Sequence, residues 1–263
     1  MSILSGPDAQ LYDLLEAAVA RHNTPDFIPH DPISIPHRFS GKQDIEISGL
    51  LAATLAWGHR KMILRNLDRL MALMDHAPYD FIRHHQPVDL KRFEGFVHRT
   101  FNTTDLLHFI QVLRHHYESH DSLESLFIHK NGLAAEPVEN GLIAFRKAFF
   151  DFEHAPLRTQ KHVPSPERKS ACKRLNMFLR WMVRKDDAGV DFGLWETVRP
   201  AHLIAPLDVH SGRTARALGL LSRPQDDWKA ALELTANLRR FCPQDPVKYD
   251  FALFSMSVGK SSH

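Results

Sequence analysis

Cysteine is scarce in this sequence: Cys172 and Cys242 are the only two among 263 residues. That excludes a disulfide framework and a four-cysteine zinc or iron–sulfur site, and a reducing cytoplasmic compartment is expected. No run approaches the ~20 apolar residues of a membrane-spanning helix, so no membrane partner is expected. Met1 to Pro7 lack a basic stretch ahead of an apolar one and do not read as a secretory signal. Neither sign of charge dominates; the net charge is +2, which excludes a polybasic nucleic-acid coat. Strand-like alternation is nearly absent, as are internal repeats, a Gly-rich nucleotide loop and a nucleophile elbow.

What remains is helical periodicity. Residues 8–22 place Leu11, Leu14, Leu15, Ala18 and Val19 at helical spacing. A link with Pro25, Pro29, Pro32 and Pro36 follows and is expected to be extended. Helices are predicted at 44–57, 61–74, 78–85, 103–119, 121–129 and 138–152, then at 170–184, 209–220, 226–240 and 246–258. The fold class is therefore all-α. The length suits one large helical domain or two smaller lobes.

Charge is unevenly distributed. Between Arg158 and Lys185 stand nine Lys or Arg and one acid, Glu167. Such a stripe in a near-neutral chain points to a polyanion site or to a solvated helix face. Within 170–184, Ala171, Leu175, Phe178 and Met182 fall on one side at ~100° per residue. Lys169, Lys173, Arg180 and Arg184 fall within about 40° of one line on the other. A lysine is a nucleophile only as the neutral amine, and neighbouring cations with partial desolvation favour that form. Lys173 on a cationic face is thus either a candidate amine nucleophile or a phosphate contact. Downstream, Asp208 follows Pro206-Leu207 and opens an amphipathic segment. An acid there caps free amides and is kept ionised by the helix dipole.

Leu207-Asp208-Val209-His210, followed by Arg213, Ala215, Arg216, Leu218 and Gly219, resembles a signature of the helix-hairpin-helix DNA glycosylase superfamily. Gly49 to Trp57 resembles the helix that opens the core of those enzymes, and the spacing of Lys173 from Asp208 is similar to the archaeal 8-oxoguanine glycosylase branch. The hairpin differs: Val163-Pro164-Ser165-Pro166-Glu167-Arg168-Lys169 has no glycine. Lys173 to Arg184, Pro206 to His210 and Asp245 to Phe254 together resemble an uncharacterised bacterial family across nearly the whole chain.

The glycosylase resemblance implies a two-lobed helical bundle, with lobes near 44–155 and 1–43 plus 156–263. It implies catalytic Lys173 and Asp208, acting on damaged double-stranded DNA in a monomer that needs no metal or cofactor. Arg168, Lys169, Arg174, Arg180, Arg184, His210 and Arg213 would hold the nucleic acid, and Trp57 and His59 would line the base pocket. The alternatives are a non-catalytic nucleic-acid-binding module and a helical scaffold for protein partners. Eighteen histidines include the pairs His84-His85, His115-His116 and His116/His120, without an acidic ligand motif or a His–Asp dyad. They read as structural or surface residues. Asp245-Pro246-Val247-Lys248-Tyr249-Asp250 reads either as a second site or as the start of the last helix, with Asp245 at the cap and Pro246 in the first turn.

Overall fold

The computed structural model describes residues 6–127 and 137–258. In chain order the helices are α1 (Pro7–His22), α2 (Lys42–Leu55), α3 (Arg60–Leu73) and α4 (Pro78–His84). A two-stranded hairpin, β1 (Val97–His98) and β2 (Phe101–Asn102), precedes α5 (Thr103–Tyr117), the single turn α6 (Glu124–Phe127) and α7 (Pro137–Phe149). Then come α8 (Lys173–Val183), α9 (Val209–Ala217), α10 (Trp228–Phe241) and α11 (Asp250–Val258). With strand at 2% of residues, the fold is all-α in character.

Two differences from the sequence reading have local causes. The proline link is not extended: Pro25–His30, Pro32–Ser34 and Pro36–Arg38 are 3-10 turns. Proline fixes φ near −65°, which suits a first helical position, and Pro32 and Pro36 each occupy one. The expected helix over 121–129 is one turn at Glu124–Phe127; residues 128 and 129 lie outside the described residues. The β hairpin was not foreseen, because four strand residues are too few to display alternation.

The chain forms two compact units. One is the continuous segment His30–Ser165; the other joins Met1–Pro29 to Pro166–His263. The central segment thus begins earlier and ends later than the 44–155 read from the sequence.

In the His30–Ser165 unit, every residue of α2 from Ile45 to Leu55 is buried. A helix apolar all round belongs inside a core. Its one buried acid, Glu46, is fully satisfied: Tyr117 Oη donates to Oε2 at 2.8 Å, the Leu123 amide at 3.0 Å, and Ser122 Oγ donates to Oε1. Burial and the adjacent Glu46 carboxylate push the Tyr117 hydroxyl far above its ordinary range. At the start of α5, Asn102 and Asp105 form a reciprocal capping box. The buried Asp105 carboxylate also accepts from Thr159 Oγ1 at 2.7 Å.

In the other unit, α11 packs against α1 and α9, and α10 packs against the 3-10 turn Pro246–Tyr249. Within α8, Phe178, Trp181 and Met182 are completely buried, each contributing about 1.5–3 kcal/mol of transfer free energy. The loop beyond α8 returns to close its end. The amide of Phe192 donates to Trp181 O at 2.8 Å and that of Trp195 to Met182 O at 2.9 Å, which satisfies carbonyls that a helix terminus leaves open.

Removing the Glu46 carboxylate strands three donors in the core. Glu46→Leu should lower unfolding free energy by about 3 kcal/mol or more. Denaturant titration checks this; a loss under about 1 kcal/mol would show that the donors find other acceptors.

Candidate active site at the starts of two helices

Lys173 is the first residue of α8. The chain leading to it has no glycine, yet Lys169 and Cys172 adopt left-handed backbone, with φ of 60° and 52°. This is the conformation for which glycine is the default residue. The turn is fixed by a bridge between Ser170 and Asp227 and by the Ser170 hydroxyl, which accepts from the Cys172 amide at 3.1 Å. Two left-handed positions ahead of α8 are thus held without glycine.

Asp208 caps α9 as its sequence position predicts. Oδ1 accepts from the amides of His210 at 2.9 Å and Ser211 at 3.0 Å, and the Asp208 amide donates to Ser211 Oγ at 2.9 Å. Oδ2 lies 3.5 Å from Lys173 Nζ. One oxygen thus holds the helix and the other faces the amine. The two side chains are 30% and 38% exposed, respectively, so a ligand can reach both. Burial raises the Asp208 pKa, but the Lys173 charge and the Ser211 and His210 amides outweigh it, and the group sits below the usual carboxylate range.

The cationic stripe is not what the helical wheel draws. Lys169 precedes the helix, and Arg180 and Arg184 are buried, at 3% and 2%. Arg180 pairs with Asp250 and, through Nε at 3.2 Å, with Asp191. Arg184 pairs with Asp186 at 2.6 Å, Asp245 at 2.8 Å and Asp191 at 3.0 Å. Both guanidiniums lie over the Phe251 ring, 4.4 and 5.5 Å from its centre. Neither can hold a phosphate, because every direction they face is taken by a carboxylate or the core. Asp245, expected as a cap, makes no capping bond, since its carboxylate goes to Arg184. Pro246 does occupy the first helical position, of a 3-10 turn.

Four carboxylates share these two guanidiniums. Burial, incompletely offset by cations, holds Asp245 and Asp250 above their ordinary range. Lys173 is one of the cations acting on Asp250. Lys173 therefore faces one acid, Asp208, and acts on a second, Asp250. Sequence reading missed Asp191 and did not join Asp250, in the segment read as a second site or a helix start, to the arginines; a signal for Asp191 was the acid-rich stretch Asp186-Asp187…Asp191 after Arg184.

Arg168, Lys169, His210 and Arg213 are exposed. Arg174 is half-buried, and desolvation lowers its pKa. Trp57 and His59 belong to the His30–Ser165 unit. Trp57 is not an open stacking surface: Arg99 lies over its ring at 5.0 Å and His98 meets it edge-on at 5.8 Å. His59 is exposed at the start of α3. Among the described residues no group of three or more His, Cys, Asp or Glu could hold a metal. A His–Asp pair does exist, contrary to the sequence reading: His84 Nδ1 lies 2.9 Å from Asp80 Oδ1. No described helix is long and apolar enough to cross a membrane.

Residues 31–259 match the family model described as "Protein of unknown function (DUF2400)". The chain belongs to the DUF2400 family. The match includes Lys173, Asp208 and the buried ion network, and it assigns no activity. No curated protein and no solved structure matches the chain.

Two outcomes follow. Arg184→Leu leaves three carboxylates short of their cation and should cost about 3–5 kcal/mol by denaturant unfolding, whereas Arg213→Ala should stay within about 0.5 kcal/mol. For Asp208 the folded pKa lies below the unfolded value near ~3.9. Its stabilisation is thus complete above about pH 4 and lost as pH falls further through the folded value. Asp208→Ala should cost about 1 kcal/mol at neutral pH. That deficit should shrink below about pH 4 in a pH series of melts; a deficit independent of pH would mean that the carboxylate's charge contributes nothing.

Proposed function

We propose that this DUF2400 protein is a DNA base-excision enzyme with Lys173 as amine nucleophile and Asp208 as its electrostatic partner. The observation that carries this reading is the 3.5 Å approach of Lys173 Nζ to Asp208 Oδ2, with both side chains open to solvent. The buried arginine pairs deeper in the same unit do not share that access. Exposed Arg168, Lys169 and Arg213 supply positive charge for phosphates, and exposed His210 a ring for hydrogen bonding, mostly without sequence preference. The substrate is damaged double-stranded DNA with the target base turned out of the stack. The protein acts as a monomer and draws on no cofactor.

The reaction begins when Lys173 yields its proton to solvent. Asp208, held ionised, is too weak a base to keep that proton and instead stabilises positive charge growing at the sugar C1′. The amine forms a bond to C1′ while the C1′–N bond to the base breaks, and the base leaves with the bond pair and takes up a proton. Opening of the sugar ring converts the adduct to a Schiff base. Loss of a C2′ proton then expels the 3′ phosphate and cuts the strand, and water releases the lysine.

A second reading, a non-catalytic nucleic-acid-binding module, draws on one specific observation. Lys173 Nζ already stands 3.5 Å from a carboxylate, that of Asp208, as in an ordinary ion pair.

Borohydride reduction separates the two. Wild-type protein incubated with duplexes carrying 8-oxoguanine, uracil or an abasic site should form a covalent adduct, and Lys173→Gln should not. Asp208→Asn should slow excision on the order of 10²-fold while changing binding far less. Absence of any adduct, or equal trapping by Lys173→Gln, leaves the binding module standing.

A further inference from the structure

The His30–Ser165 unit carries a second cationic surface, built from α3 and the β hairpin. On α3, Ile63, Leu67, Leu70 and Met71 are buried, and Lys61, Arg65 and Arg69 recur every fourth residue on the exposed side. That spacing places a cation about every 6 Å along the helix. The only acid among the exposed residues of α3, Asp68, is neutralised by Arg38 at 2.6 Å. Among the described residues, Lys61, Arg65 and Arg99 have no ion pair. Lys61 also sits in the first helical turn, where the helix dipole disfavours a cation. Folding gains nothing from it there.

Arg99 is set in place rather than left loose. It occupies the hairpin turn in left-handed backbone, φ 55°, and lies over the Trp57 indole at 5.0 Å. Gly58, itself at φ 103°, leaves the necessary room: a Cβ there would come within 2.9 Å of Arg99 Cδ. His98 ties the hairpin to both neighbours. Its Nδ1 accepts from Asn66 Nδ2 of α3 at 2.9 Å, and its Nε2 donates to Trp57 O at 3.1 Å; both bonds fit one neutral tautomer. The hairpin arginine and the α3 cations are thus held on one framework. A cation–π contact uses none of the guanidinium's N–H donors, which fit the paired oxygens of a phosphate. Met62 and Val97, 43% and 54% exposed, add apolar side chains of the kind that meets sugars or base edges in a minor groove.

We infer that Lys61, Arg65 and Arg99, with Arg99 seated on Trp57, form a phosphate-binding surface for the backbone of double-stranded DNA. The choice of DNA as partner rests on the excision reading; the surface itself does not. Trp57 then serves as the seat of an arginine finger on phosphate.

The test is binding of an undamaged short duplex, followed by fluorescence anisotropy between about 50 and about 200 mM salt. The variant Lys61→Ala/Arg65→Ala/Arg99→Ala should bind at least about tenfold more weakly. Its plot of log affinity against log salt should flatten by about 0.9 for each lost phosphate contact. Arg92→Ala removes a cation of the same unit that is already paired with Asp75 and Asp89, and should bind as wild type does. An unchanged slope in the triple variant overturns the proposal. So does binding, through these residues, of vesicles containing phosphatidylserine but not of the duplex. The two proposals fail separately. If no lysine adduct traps but duplex binding depends on Arg99, the surface stands and excision falls. If the triple variant binds and traps like wild type, excision stands and the surface falls.

Discussion

Arg180 and Arg184 are the groups on which the candidate site depends. Each is a charge taken out of water, tolerable only because carboxylates surround it. Those carboxylates come from distant places in the chain: Asp191 from the loop after α8, Asp245 from the turn before Pro246, Asp250 from the start of α11. The same two side chains therefore fix the end of α8, the loop that closes it and the start of α11. Lys173 stands at the other end of α8 and inherits its position from them. Lys173 acts electrostatically on Asp250 as well as on Asp208, so the network and the candidate site are coupled.

Most helices were legible because burial imposes a repeat that a single sequence displays. The apolar run of α2 and the spaced leucines of α3 announce themselves, and Asp208 after Pro206-Leu207 reads as a cap without help from tertiary structure. The proline link was misread because proline's fixed φ suits an extended chain and the first residue of a 3-10 turn equally well. The cationic stripe was misread for a deeper reason. A helical wheel sorts residues by direction, but it cannot say whether a charged direction ends in water or in an acid 61 or 70 residues further along. Asp245 and Asp250 reach Arg184 and Arg180 by tertiary contact alone. Likewise Trp57 was visible as an aromatic next to a glycine, but its ring contact with Arg99 arises from a short hairpin with no periodic signature.

These corrections redistribute the positive charge on which a nucleic-acid reading rests. Two arginines leave the candidate interface, yet exposed Arg168 and Lys169 precede the start of α8, and exposed His210 and Arg213 lie on α9. Lys173 and Asp208 are the residues at those starts. In the His30–Ser165 unit, exposed cations recur along α3 and at the hairpin, with Asp68 already engaged by Arg38. A near-neutral net charge is thus compatible with polyanion binding. Many of the acids are spent on arginines, some of them inside the core, while Lys61, Arg65 and Arg99 face water without an ion pair among the described residues.

The proposed excision chemistry makes one demand on this pair: attack at C1′ requires Lys173 as the free amine, and Asp208 Oδ2 stands 3.5 Å from its nitrogen. In the proposed reaction a cationic sugar forming beside Asp208 would compete for the carboxylate that faces Lys173 in the free protein. The carboxylate's interaction would then pass from nucleophile to transition state, where it would lower the barrier. On that proposal the acid beside the lysine belongs to the mechanism, and its ionised state is secured by the α9 cap.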